Sequence, residues 1–258
     1  LRTCMVYLDD ILIWSKGGIQ AHLDRLSEVF DRLRGAGLQC KVGKCAFFRR
    51  TVKYLGHVIS PSGVTVDADQ VRVIRELPQP RTLTEVRAFL GATGYYRKWV
   101  KDYSRIALPL TKLLTKEANL SEEWNSPACQ EAVATLKEAL TTAPILGFPD
   151  FTREMILYTD AASTHGIGCI LEQNQEKGKV VLAYWGRQLN RHEKNYGATE
   201  QECLAVVSGV KHFRAYLWGR TFRVVTDCSA LKCLMTLKEA EGGPVGRLAR
   251  WALKLQEY

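Results

Sequence analysis

The chain has 258 residues, 46% hydrophobic and 24% charged, with eight cysteines and a formal net charge of +9. Those values argue against a disordered or collagen-like chain and against a disulfide scaffold, and the longest apolar run, residues 180–185, falls far short of the ~20 residues a membrane helix needs. The charge divides as +5 over residues 1–150 and +4 over residues 151–258, which suits either a polyanionic partner, nucleic acid foremost, or a plain basic protein.

Residues 4–8 and 11–14 are strand-like runs separated by Asp9-Asp10, a spacing that predicts a tight hairpin. Two adjacent carboxylates at a rigid tip repel each other. A divalent cation that prefers hard oxygen ligands, such as Mg²⁺, relieves that repulsion; the alternative is an ordinary Asp-Asp turn. The opening Leu1-Arg2-Thr3-Cys4 shows no signal peptide and falls inside a strand-like run, so the chain is expected to be a piece of a longer protein. Residues 22–34 place Leu23, Leu26, Val29, Phe30 and Leu33 at helical spacing, ended by Gly35 and Gly37. A strand at 52–59, the turn Ser60-Pro61-Ser62-Gly63 and a strand at 64–66 read as a second hairpin. A short helix carrying Val71, Ile74 and Leu77 stops at Pro78 and Pro80.

Residues 78–143 read as all-helical. Thr82-Leu83-Thr84-Glu85 fits a capping box, and Ser126-Pro127 an N-cap followed by proline at the first helical position. Between them, Tyr95-Tyr96-Arg97-Lys98-Trp99-Val100-Lys101 interleaves aromatic and basic residues. That run serves either to stack on bases and hold phosphates or as a helix with one aromatic core face. Pro144, Gly147 and Pro149 punctuate the chain, so three parts are expected: 1–77, 78–143 and 144–258. Cys40/Cys45 and Cys228/Cys233 are spaced C-x4-C, but no Cys/His pattern completes either as a zinc site. The five histidines show no metal-ligand spacing.

Strands are expected at 155–159, 168–172 and 180–185, then a helix at 197–217, a strand at 221–226, and helices at 229–237 and from 244 onward. That order predicts a mixed sheet flanked by helices. Asp160 ends the first of these strands and Asp227 the fourth, so they lie side by side if the strands are neighbours. Glu202 lies about 60° from the centre of its helix's apolar stripe and Glu200 about 100°, at ~100° per residue. Glu202 therefore points toward the sheet edge. Three acids meeting there make a metal site for phosphodiester hydrolysis; the alternative is helix caps and solvated faces.

Together these motifs resemble a known family. Tyr7-Leu8-Asp9-Asp10 resembles the Y-x-D-D motif of reverse transcriptases, and residues 54–60 resemble the segment that follows it in gypsy-like LTR retrotransposons. Residues 89–98 are similar to their thumb and connection region. Residues 158–163, then 202–205, then Thr226-Asp227 resemble their RNase H domain. The resemblance implies an α+β / α/β fold: part of a polymerase palm, a helical thumb or connection, and an RNase H-like sheet. It implies that Asp9 and Asp10 are polymerase metal ligands and that Leu55, Gly56 and His57 present the primer end. Tyr7, Tyr95, Tyr96, Arg97 and Lys98 are expected to contact nucleic acid. Asp160, Glu202 and Asp227 are the implied RNase H metal ligands, with Mg²⁺ or Mn²⁺ as cofactor.

The implied activities are RNA-directed DNA synthesis and hydrolysis of RNA in RNA–DNA hybrids. The implied partners are the hybrid, template-primer and, for the whole enzyme, dNTPs, with no membrane. The implied location is intracellular, in cytoplasmic particles and the nucleus. Cys228 stands where the family usually has His. The third polymerase carboxylate and the fourth RNase H acid are expected outside residues 1–258, so this stretch by itself is not expected to polymerise. The rival reading is a host-captured or decayed copy that only binds nucleic acid.

Overall fold

Residues 4–115, 124–164, 166–176, 178–227 and 246–258 are described in the computed structural model of the chain. They fall into two units, Leu1–Pro61 and Ser62–Tyr258.

In the first unit, β1 (Cys4–Tyr7) and β2 (Asp10–Ile13) pair antiparallel with Tyr7 opposite Asp10. The turn is therefore Leu8-Asp9, one residue earlier than the spacing suggested. Two-residue hairpin loops match the twist of their strands only when the first central residue takes a positive φ. Leu8 does so, at +51°, a conformation that costs a side-chain-bearing residue roughly 1–2 kcal/mol. Helix α1 (Ile19–Gly35) buries Leu26 and Val29. It ends where Gly37, at φ +69°, lets Leu38 N–H reach the Leu33 carbonyl at 2.9 Å, satisfying an end carbonyl.

The strand expected at 52–59 is two strands, β3 (Val52–Tyr54) and β4 (His57–Ser60), paired antiparallel. Leu55 and Gly56, at φ +50° and +73°, form the two-residue loop between them, since both central positions of this turn type need positive φ. The buried Tyr54 hydroxyl donates to the Asp10 carbonyl at 3.4 Å and so ties the two hairpins together.

The second unit opens with β5 (Gly63–Val66) and α2 (Ala68–Glu76), capped by Asp67, whose carboxylate accepts from Asp69 N–H. Then follow α3 (Leu83–Tyr95), α4 (Tyr103–Ile106), α5 (Leu108–Lys112) and α6 (Pro127–Thr141). Thr82 and Ser126 cap α3 and α6 as the sequence suggested, accepting from Glu85 and Cys129 N–H. These helices bury one core around Phe89, Trp99, Leu110, Leu136 and Leu140.

The sheet has β6 (Met155–Ala162), β7 (Gly166–Gln175), β8 (Gly178–Arg187) and β9 (Phe222–Val225), in the order β8-β7-β6-β9. All pairs are antiparallel except β6 with β9. Helix α7 (Ala198–His212) packs Val206 and Val210 onto Met155, Leu157, Cys169 and Leu171. The helix expected at 197–217 is interrupted at Phe213 and resumes as α8 (Arg214–Leu217). Helix α9 (Arg247–Leu255) closes the chain, its Arg247 paired with Glu200 at 2.6 Å. The helix expected at 229–237 lies outside the described residues.

A division was expected near residue 144, but backbone pairing crosses it. Val64 and Leu146 exchange both hydrogen bonds, and Gly147 N–H donates to the Val181 carbonyl at 2.9 Å. The buried amide of Gln173 donates to the Asp150 and Arg153 carbonyls and accepts from Asp150 N–H. The prolines there end a helix, but the segment is stitched to the sheet.

Helix and sheet meet closely at Gly209. A Cβ there would stand 2.7 Å from Cys169 Sγ and 3.4 Å from Leu157 Cδ2. Gly209→Val is expected to destabilise the second unit by at least about 1–3 kcal/mol through overpacking, read as a lower denaturant midpoint.

Candidate functional site

Sheet register brings the first two acids together. Tyr158 on β6 lies opposite Val225 on the parallel strand β9. Continuing that register, the chain after Val225 carries Asp227 alongside Asp160. Both are exposed. The close seat of α7 on the sheet supplies the third. Glu202 is half-buried and accepts a hydrogen bond from the backbone N–H of Ala161, while its Oε2 is buried with no partner. Its pKa is raised chiefly by burial, then by the negative charges of Asp160 and Asp227; the Ala161 N–H opposes the rise. Three carboxylates thus share one end of the sheet and repel one another.

Among the described residues no three His, Cys, Asp or Glu side chains are gathered closely enough to hold an ion as they stand. The chemistry of the donor set nevertheless fits a hard divalent cation. The orphaned Glu202 oxygen needs a partner, and a cation would remove the repulsion that raises its pKa. Glu200, two residues away, does something else: it caps α7 by accepting from Gly197 N–H at 3.1 Å, and it binds Arg247.

Asp160 and Asp227 open onto a cleft of roughly 390 Å³. Tyr158, Gly168, Trp185 and Gly186 line it, and so do Lys101, Asp102, Ser104 and Arg105 from the helical segment. That helical wall was not foreseen. Lys101 closes the aromatic and basic run noted above, but nothing in the run shows that it would face the sheet.

The rest of that run divides between core and surface. Tyr96 is 5% exposed and packs against Trp99 at 6.1 Å between ring centroids. Its ring is a core element, which corrects the expectation that it contacts nucleic acid. A tight turn at Arg97–Trp99 places Tyr96 and Trp99, three residues apart, on one side. Tyr95, Arg97 and Lys98 stay exposed, with the Lys98 ammonium 4.2 Å above the Trp99 ring. His212 stacks on Trp185 at 4.6 Å, and its pKa is lowered by burial and then by Arg97.

In the first unit Tyr7, Asp9 and Asp10 are exposed around the strained turn. Leu55 and Gly56 form the neighbouring turn, and His57 opens β4 opposite Tyr54. Sequence reasoning had not singled out the hydroxyl of Tyr54. Its pKa is raised by burial, then by Asp10 and Cys4.

Residues 150–258 match the RNase H-like domain found in reverse transcriptase, and residues 1–59 match reverse transcriptase (RNA-dependent DNA polymerase). The chain is 39% identical over 257 residues to the retrovirus-related Pol polyprotein from transposon 297 of Drosophila melanogaster, covering 100% of this chain and 23% of that protein. It is 35% identical over 266 residues to the corresponding polyprotein of transposon opus of the same fly, covering 100% and 26%. With the transposon Tf2-3 polyprotein of Schizosaccharomyces pombe it shares 31% over 255 residues, covering 98% and 19%. The chain therefore spans about a quarter or less of the relatives it matches.

In fold it is similar to the foamy viral protease-reverse transcriptase dRH solved with double-stranded DNA, at TM-score 0.80 and 21% identity over 99% of this chain and 44% of that one. The same viral enzyme solved with an RNA/DNA hybrid gives 0.78 and 22%, over 98% and 34%.

A raised carboxyl pKa penalises the folded state wherever the group is ionised. The contribution to stability is present in full below the unfolded value of 4.5 and is lost as pH rises through the higher folded value. Glu202→Gln is therefore expected to raise the melting temperature at pH 7 and to leave it unchanged at pH 4 and below. Paired thermal melts across that range check the sign.

Proposed function

We propose that this chain, a segment of the retrovirus-related Pol family that runs from the end of the reverse transcriptase part through its RNase H-like domain, serves the whole polyprotein in hydrolysing RNA paired to DNA and in RNA-directed DNA synthesis. One observation carries the hydrolytic reading: Asp160, Glu202 and Asp227 share one end of a mixed sheet, and one buried Glu202 oxygen has no partner.

These three residues would hold Mg²⁺ or Mn²⁺. When bound, the metal supplies activation of the attacking oxygen and stabilisation of the leaving one. The chain's own residues set the stage. The Ala161 N–H fixes the Glu202 carboxylate, and strand register fixes Asp160. The exposed Asp160 and Asp227 face the cleft from which substrate approaches. The substrate is an RNA–DNA hybrid, read through backbone and shape, without sequence specificity. The solved viral relative bound to an RNA/DNA hybrid supports that class. Tyr95, Arg97 and Lys98 contribute an exposed aromatic and basic surface for the same polyanion.

In the first unit, Asp9 and Asp10 would hold the polymerase metal, with Asp9 the firmer ligand. Leu8 keeps the tip in a strained conformation, as functional turns often do. Tyr7, Leu55, Gly56 and His57 would contact template-primer, and dNTPs are substrates of the whole enzyme. No helix among the described residues is long and apolar enough to cross a membrane. The proposed setting is intracellular, in cytoplasmic particles and the nucleus.

Calorimetric Mg²⁺ titration tests the metal site first. Asp160→Asn is expected to weaken binding by about tenfold or more, since it removes a charged oxygen ligand; unchanged affinity removes Asp160 from the site. With labelled RNA–DNA hybrid and Mg²⁺ or Mn²⁺, Glu202→Gln is expected to slow RNA cleavage by about 100-fold or more. Measurable cleavage at equal rates by the two proteins would overturn the hydrolytic assignment.

A further inference from the structure

Next to Asp160, part of the cleft floor carries no side chains. Asp160 on β6 lies opposite Gly168 on β7, and Gly168 lies opposite Gly186 on β8. Residues opposite one another across a sheet point to the same face. Next to Asp160 the sheet thus presents two successive bare positions. The helical segment settles onto them. A Cβ at Gly186 would lie 3.1 Å from Ser104 Oγ, and one at Gly168 would lie 3.8 Å from Asp102 Oδ1.

The segment is clamped in place. The Gln188 amide donates to the Ser104 carbonyl at 2.6 Å. Asp102 takes a left-handed conformation at φ +56°, and its carboxylate pairs with Arg105 at 3.1 Å. Lys101 and Arg105 therefore stand exposed on the rim of the cleft that Asp160 and Asp227 enter from the other side. Among the described residues Lys101 forms no ion pair, and the side chain of Arg105 stays 55% exposed beside Asp102.

This arrangement has an electrostatic consequence. Three carboxylates at one end of the sheet repel a polyanion. A bound metal would offset part of that repulsion; of the chain's own side chains, Lys101 and Arg105 are the cations that line the cleft and can offset it. Arg paired to one carboxylate keeps further N–H donors for a phosphate.

We propose that Lys101 and Arg105 hold the sugar–phosphate backbone of an RNA–DNA hybrid while Asp160 and Asp227 face the strand to be cut. The helical segment then forms part of the RNase H-like substrate site. This deepens the hydrolytic reading above and rests on it.

Hybrid binding, followed by fluorescence anisotropy in EDTA over a range of salt, separates the grip from the metal chemistry. Lys101→Ala and Arg105→Ala are each expected to weaken binding severalfold at 0.1 M salt, an order-of-magnitude expectation, and to lower the log–log salt slope by about 1, the value of one lost phosphate contact. Lys101→Arg should keep the original affinity and slope. Arg72→Ala, exposed on α2 away from the cleft, should change neither. Melting temperatures of all four variants identify any that has lost its fold, and Lys101→Glu, which reverses the charge on an exposed side chain, provides a second reading of the same contact. If the unaltered chain binds hybrid and Lys101→Ala, Arg105→Ala and Lys101→Glu bind with its affinity and slope, the grip is overturned and the broader reading stands. If the unaltered chain does not bind hybrid at all, both fall together.

Discussion

Helix α7 lies so close to the sheet that position 209 has no room for a side chain. Much else in the second unit depends on that approach. It sets the depth at which Val206 and Val210 meet Leu157, Cys169 and Leu171, and so the density of the core. It buries the thiol of Cys169, whose pKa burial pushes up to about 12, leaving a small apolar group in place of a nucleophile. Two turns earlier on the same helix, it delivers Glu202 to the backbone of Ala161. A helix standing farther out would leave Glu202 solvated, with an ordinary pKa and no bond to the sheet.

Three of the non-glycine residues at positive φ, Leu8, Leu55 and Asp102, lie beside the candidate sites. Leu8 and Leu55 both sit in hairpin loops where glycine or asparagine is the cheaper residue. Each loop belongs to a motif singled out for its chemistry, and the Tyr54 hydroxyl links the two through the Asp10 carbonyl. In the second unit, Asp102 bends the chain over Gly168, and the glycines beneath it make room. Strain of this kind persists only where surrounding contacts fix it. Here they do: Arg105 holds the Asp102 carboxylate and Gln188 holds Ser104.

The helical segment and the sheet belong to one compact unit, and their join is satisfied along the backbone. Leu146, the buried residue of this join, would otherwise leave its backbone polar groups unpaired, at a cost comparable to lost hydrogen bonds. Pairing with Val64 absorbs them, and the Gly147–Val181 bond and the buried Gln173 amide extend the join. Tyr184 and Val181 of β8 pack against the helical core, so the two apolar clusters adjoin. A shared cleft follows from that packing.

Local chemistry made a large part of this chain legible in advance. The caps at Thr82 and Ser126 follow from side-chain oxygens that can reach backbone N–H groups within three residues. The strand order that gives a mixed sheet was also readable from alternation and turn residues. Strand ends and a helical wheel singled out Asp160, Glu202 and Asp227 as candidates, and the family resemblance implied their role, but the pairing of β6 with β9 that brings the two aspartates together is a tertiary contact. The sequence alone could not place the turn at Leu8, divide residues 52–59 into two strands, or turn Tyr96 inward, because each depends on which partner lies across the fold. Nor could it show that residues 101–105 roof the sheet beside Asp160. That contact joins positions more than fifty residues apart, and only the filling of the bare sites at Gly168 and Gly186 decides it.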